Sequence, residues 1–134
     1  MGVAQPIVLH VYHDENGASR FGEIHLSGGL RQSPASTAMT WLSETVPVKG
    51  LTWRRVDQEH PVNTPHVAPT RQLVVQVAGS AEIEASSGER RTVIPGQLIL
   101  IEDTEGAGHI TRRLGEETRV TLIFDLGDEP LPSH

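Results

Sequence analysis

The feature that most constrains this chain is how often turn residues interrupt its apolar runs. Between Arg71 and Leu126 the breaks fall at Gly79-Ser80, Ser86-Ser87-Gly88, Pro95-Gly96, Gly106-Ala107-Gly108 and Gly115. The segments they leave are too short for a stable amphipathic helix but suit strands, which run to about 5–6 residues. Those segments are also rich in Val, Ile and Thr, whose branched side chains fit a pleated surface. Many short strands, regularly punctuated and without a convincing helix, predict an all-β sandwich or barrel of the jelly-roll kind, with little helix. At 134 residues the chain is expected to form one domain, 1–134, with a core over about 38–126 and a frayed tail at 127–134.

Along the chain, Ile7 to Tyr12 reads as a first strand and Asp14-Glu15-Asn16-Gly17 as its turn, with Phe21 to Leu26 returning. Ser27 to Ser36 reads as an exposed loop, and Ala38 to Val46 as a strand or a short helical turn stopped by Pro47. Leu51 to Val56 alternates as a strand. The proline-rich segment 57–69 is a loop, because proline cannot donate to a sheet ladder. In the strand Gln72 to Ala78, Leu73, Val75 and Val77 make an apolar row, while Gln72, Val74 and Gln76 make a mixed row suited to lining a pocket. Further strands are expected over Ala81 to Ala85, Arg91 to Ile94, Gln97 to Ile101, His109 to Leu114 and Arg119 to Leu126. "QLILI" is apolar on both faces and therefore reads as buried.

The formal charge of −6 argues against nucleic acid or an anionic membrane as a partner, since neither is bound without a basic stripe. No cysteine is present, so a thiolate can be neither nucleophile nor ligand. No signal-like or membrane-spanning run is evident, and a soluble cytoplasmic protein is the expectation.

The run "SAEIEASSGERRTVIPGQLILIEDTEGAGHITR" resembles the cupins, and in particular small single-domain bacterial cupins carrying a "PG…L.EDT.G.GH.TR" signature. The similarity is strong from His66 to Phe124 and loose before it. It implies a jelly roll around a pocket for a metal or a small molecule. Fitted on Gly79, the first cupin motif places its histidine slots at His66 and Ala68 and its glutamate slot at Gln72, with His60 at the leading glycine. In the second motif the histidine arrives two residues late, at His109, the proline slot falls on Glu102 and Arg113 takes the asparagine slot. Ala68 and Gln72 therefore stand where an imidazole and a carboxylate ligand usually stand. What the resemblance leaves for a metal (Fe, Mn, Ni or Zn) is His66, Gln72 and His109. It also implies a homodimer.

Imidazole titrates in the neutral range and suits general acid or base work, so His66 and His109 are the candidate catalytic residues. Arg71 and Arg112 could clamp an anion in bidentate fashion, although alternation turns Arg71 away from Gln72 and Arg112 away from His109, which favours surface pairing with Glu102 or Asp103. Asp103 shares a parity with Gln97, Ile99 and Ile101 and is expected to face inward. Trp41, Trp53, Tyr12 and Phe124 read as core or pocket wall. The candidate substrate contacts are Arg71, Gln72, Gln76, Asp103 and Trp53. Three functions follow as expectations: acid/base chemistry on a small oxygen-rich or anionic metabolite, metal-dependent dioxygenation, or non-catalytic binding of a small molecule.

Overall fold

The computed structural model describes residues 6–32, 34–35, 37–58 and 63–133. His60 and His134, and the expectations attached to them, lie outside the described residues. The described residues form eleven strands: β1 Ile7–His13, β2 Ser19–His25, β3 Gly28–Gln32, β4 Met39–Ser43, β5 Gly50–Val56 and β6 Gln72–Ala78, then β7 Ser80–Ala85, β8 Arg90–Val93, β9 Leu98–Ile101, β10 His109–Leu114 and β11 Arg119–Asp125. The chain is all-β and jelly-roll-like. Among the described residues no helix is long and apolar enough to cross a membrane.

Six strands form one sheet in the order β2-β1-β9-β6-β11-β5; a second sheet is β10-β7-β8 and a third is β3-β4. Among the described residues β1 and β9 run parallel, and the other strand pairs are antiparallel. The large and the three-stranded sheets share no ladder, so the molecule is an open sandwich and not the closed barrel that was the other expectation. Val11, Ile99 and Ile101 of the large sheet pack there against Ile83 and Val93 of the smaller one. The opposite face of the large sheet carries a second core of Val8, Leu73 and Leu100, covered by Leu26, Leu126 and Leu131. β9 lies in the middle of the large sheet and is covered on both faces, which is why its sequence is a continuous apolar run.

Three expectations are corrected here. The segment read as a loop from Ser27 contains β3, which pairs with β4 from Gly28↔Ser43 to Gln32↔Met39, and β4 is strand with no helical turn. Four of the five β3 residues are exposed, so the strand is held by its ladder without the apolar alternation that marks a half-buried strand. The core also extends beyond 38–126, since Val8 and Val11 have no exposed surface. Finally, the C-terminal residues are docked: Leu126 is fully buried, Leu131 is 8% exposed, and Leu26 bridges Ser133. Acidic and proline residues around Leu131 hide this anchor when the sequence is read for periodicity. Leu131→Ala is expected to lower stability by ~2 kcal/mol in urea unfolding; a frayed tail would leave the midpoint unchanged.

Candidate functional site

A cavity of about 380 Å³ opens between the large sheet and β10. Strand parity decides what it contains. Gln72, Val74 and Gln76 of β6, Ile99 and Ile101 of β9, and Arg119, Thr121 and Ile123 of β11 are alternate residues, and all face it. The opposite wall is Ala81 and Ile83 of β7, Val93 of β8, and His109 and Thr111 of β10. The segment before β6 runs along β10 and completes the mouth. His66 and His109 exchange both backbone hydrogen bonds, at 3.1 and 3.0 Å, and Asn63 Nδ2 donates to the Thr111 carbonyl at 2.7 Å. That pairing brings the His66 and His109 rings to 5.5 Å between centroids, tilted by 46°.

Behind His109 lies Asp103, which has no exposed surface, while His109 itself is 6% exposed. His109 Nδ1 and Asp103 Oδ2 form a short hydrogen bond. The backbone around Asp103 is pinned on both sides: Glu102 N donates to Val11 O at 2.7 Å, and Ala68 N donates to Asp103 O at 3.1 Å. The turn that delivers His109 is equally fixed. Gly106 and Gly108 have φ of 86° and 75°, and a Cβ on either would collide with backbone, of Gly17 and of His66 respectively. Ala107 N donates to Gly17 O at 2.8 Å, and Ser19 Oγ donates to Gly108 O at 2.6 Å. These glycines allow chain to approach chain, which holds the imidazole in place. The hydrogen bond occupies Nδ1 and leaves Nε2 as the ring atom at which an imidazole so held could exchange a proton.

The remaining expected site residues divide clearly. Gln72 lines the cavity. Gln76 lines it as well, but its Nε2 donates to the carbonyls of Gly79 and Ala78, at 2.8 and 3.3 Å, so the amide serves the β6–β7 turn. Asp103 is not on the cavity surface; its carboxylate meets His109 behind it. Arg71 is on the opposite face of the large sheet, where its Nε donates to Glu102 at 2.6 Å and its Nη1 to the carbonyls of Gly127 and Glu129. It fastens the C-terminal segment and does not reach the cavity; the cause is the alternation that puts Gln72 inside. Arg112 pairs with Glu84 at 2.6 Å on the outer side of the small sheet, not with Glu102 or Asp103. Trp53, expected in a pocket wall, is 58% exposed on the edge strand β5, and Trp41 is 40% exposed.

The three residues left for a metal do not fit one. Among the described residues no three His, Asp or Glu side chains are grouped to hold an ion. His66 and His109 offer two imidazoles and Gln72 adds only a neutral amide, fewer and weaker donors than a divalent ion needs. No described Asp or Glu lines the cavity. Arg54, Asn63, Arg119 and Thr121 were the site residues missed from sequence. The alternation of Arg119, Thr121 and Ile123 along β11 was a usable signal. Arg54 and Asn63 had none, because their placement depends on which strands become neighbours.

Glu102 has a different role from Asp103. His10 Nε2 at 2.5 Å and Arg71 Nε at 2.6 Å hold its carboxylate, and they lower its pKa from the ordinary 4.5 to about 2, the His10 hydrogen bond contributing most and burial opposing. A pKa depressed by folding contributes stability above the unfolded value and loses it as pH falls toward the folded one. Glu102→Gln is therefore expected to cost ~1–2 kcal/mol at neutral pH, a figure reduced for partial exposure. The gap from wild type should close between pH 4.5 and about 2 in denaturant titrations. A gap independent of pH would contradict this role.

No protein-family model matches the chain, and no curated protein matches it.

Proposed function

We propose that this chain is a divergent cupin that acts on a small oxygen-rich or anionic metabolite by proton transfer, as in isomerisation, dehydration or cyclisation. The observation that carries this reading is the His109–Asp103 pair at the edge of the open cavity. A fully buried carboxylate with no role in the core ladder orients an imidazole at the cavity wall. In the proposed reaction His109 Nε2 takes a proton from the substrate, Asp103 stabilises the imidazolium that results, and the proton is returned at another atom or to the leaving hydroxyl. His66, exposed at the mouth with its ring near that of His109, is the second acid/base candidate. The cupin assignment is supported by the jelly-roll-like sandwich and by the meeting of the two motif histidines across a backbone bridge.

The test is to recover the small molecule that co-purifies with the protein and incubate it with wild type and with His109→Gln. Conversion by wild type and a loss of about 10²–10⁴-fold in the variant are expected. A ligand that wild type returns unchanged would make the chain a binding protein.

A further inference from the structure

The large sheet is covered unevenly on the face opposite the cavity. Val8, Leu73 and Leu100 there lie under Leu26, Leu126 and Leu131, with Val46 and Phe124 packed against them. That cover stops short of the next row of side chains. Alternation turns Leu51 and Trp53 of β5, Leu122 of β11 and Val75 and Val77 of β6 to this face, because the residues beside them, Arg54, Thr121, Ile123, Val74 and Gln76, line the cavity. Leu122 is the cross-strand partner of both Trp53 and Val75, so these three form an apolar row across three strands, next to the row of Leu51, Phe124 and Leu73. Leu51, Trp53 and Val77 are left exposed.

A second apolar surface belongs to the β3–β4 ribbon, which shares no ladder with either larger sheet. Leu30 pairs with Trp41 and Gln32 with Met39, so Gly28, Leu30, Gln32, Met39, Trp41 and Ser43 share one face, and that face bears no charge. Gly28 helps to shape it: a Cβ there would lie 2.7 Å from Trp41 Cη2, so the bare glycine lets the indole lie along the ribbon. The ribbon rises from the cover of the large sheet, since Leu26 precedes β3, Val46 follows β4, and both belong to the outer core. Ribbon and bare rows are therefore on the same side of the molecule, away from the cavity.

We propose that this side of the molecule is a homodimer interface in which the ribbon of each copy lies across the bare rows of its partner. Both surfaces have the make-up of an interface core, poor in charge and supplied with Trp and Met. Arg55, at the edge of the bare rows, is paired with Asp57 at 2.7 Å. The area available is what points to a second copy. Leu30, Met39, Trp41, Leu51, Trp53 and Val77 are each 40–68% exposed, and at on the order of 200 Å² for a whole residue of this size they leave roughly 700 Å² bare. Apolar surface of that extent on one side of a protein marks an interaction site, and it approaches the ~800 Å² that each partner gives to a stable interface. A two-fold axis satisfies both surfaces together, because ribbon meets sheet twice. The cavity is on the other face of the large sheet, so this contact does not cover it.

Sedimentation velocity on the full-length protein reads the association, and two substitutions at exposed positions address the two surfaces separately: Met39→Glu on the ribbon and Trp53→Glu on the sheet. Wild type is expected to be a dimer at about 10 µM. Each variant should weaken dimerisation at least about 30-fold, since both ribbon–sheet contacts then carry a carboxylate in an apolar setting. Mixing the variants is the sharpest arm. A heterodimer of Met39→Glu with Trp53→Glu gathers both substitutions into one contact and leaves the other wild type, so the mixture should form dimer at a concentration where neither variant does alone. Leu114→Glu, at an exposed position in the small sheet, should leave the dimer unchanged. Far-UV circular dichroism matching wild type shows that each variant folds. A wild type that stays monomeric up to about 100 µM, or a dimer that neither Met39→Glu nor Trp53→Glu weakens, overturns the interface. Variants that fail to associate alone and also fail when mixed overturn the reciprocal contact of ribbon with sheet.

Discussion

Asp103→Asn is expected to lower turnover of the cavity's substrate by about 10²–10⁴-fold, or ~3–5 kcal/mol in the activation barrier, with little change in KM. The substitution keeps the shape of a side chain that has no exposed surface, so packing is preserved. What it removes is the charge. An asparagine can turn its amide donor toward Nδ1, which puts the ring proton on Nε2 and leaves no base facing the cavity; in either orientation it cannot stabilise an imidazolium. The effect should appear in kcat, because Asp103 touches His109 and not the cavity. Nitrogen NMR of the His109 ring adds a readout that a merely structural role would not move: protonated Nδ1 in wild type, a shifted tautomer in the variant. Unchanged kcat together with an unchanged tautomer would remove Asp103 from the mechanism.

The largest expected loss of stability is at a glycine. Gly108→Ala forces a side chain onto φ of 75° and drives its Cβ into the carbonyl of His66. The left-handed conformation alone costs ~1–2 kcal/mol for alanine, and the collision requires either the His66–His109 bridge or the turn to move, so a total of ~3 kcal/mol or more is expected. For a domain of this size that is roughly a 10 °C fall in Tm. Gly29→Ala is the control: its Cβ would meet nothing within 4 Å, and the change should stay within about 0.5 kcal/mol. If the two variants melt together, the turn before His109 is not the rigid support described above.

Much of this was legible in the sequence where one face of a strand is buried. Leu73 alternates with Gln72 and Val74, and "LILI" is apolar throughout, so both strands and their faces could be read directly. Reading failed where a strand gains no burial, as in β3, whose exposed residues carry no alternation. It also failed where one anchor sits among turn residues, as Leu131 does. At the site, parity correctly opposed Arg71 to Gln72 and turned Asp103 inward. It could not show that Asp103 would stop behind His109 instead of lining the cavity, because that depends on how the 105–108 turn folds against Gly17. Nor could it bring Arg54 beside Thr121, a contact made by strands far apart in the chain.

In the proposed function His109 moves a proton on a small molecule held in the cavity. Incubating the co-purified ligand with protein in deuterated water and following its mass tests this most directly. Deuterium entering the ligand, or a product forming from it, is predicted with wild type, together with a loss of about 10²–10⁴-fold in His109→Gln. A ligand recovered unlabelled and unchanged from wild type, or labelled equally fast by His109→Gln, would contradict it.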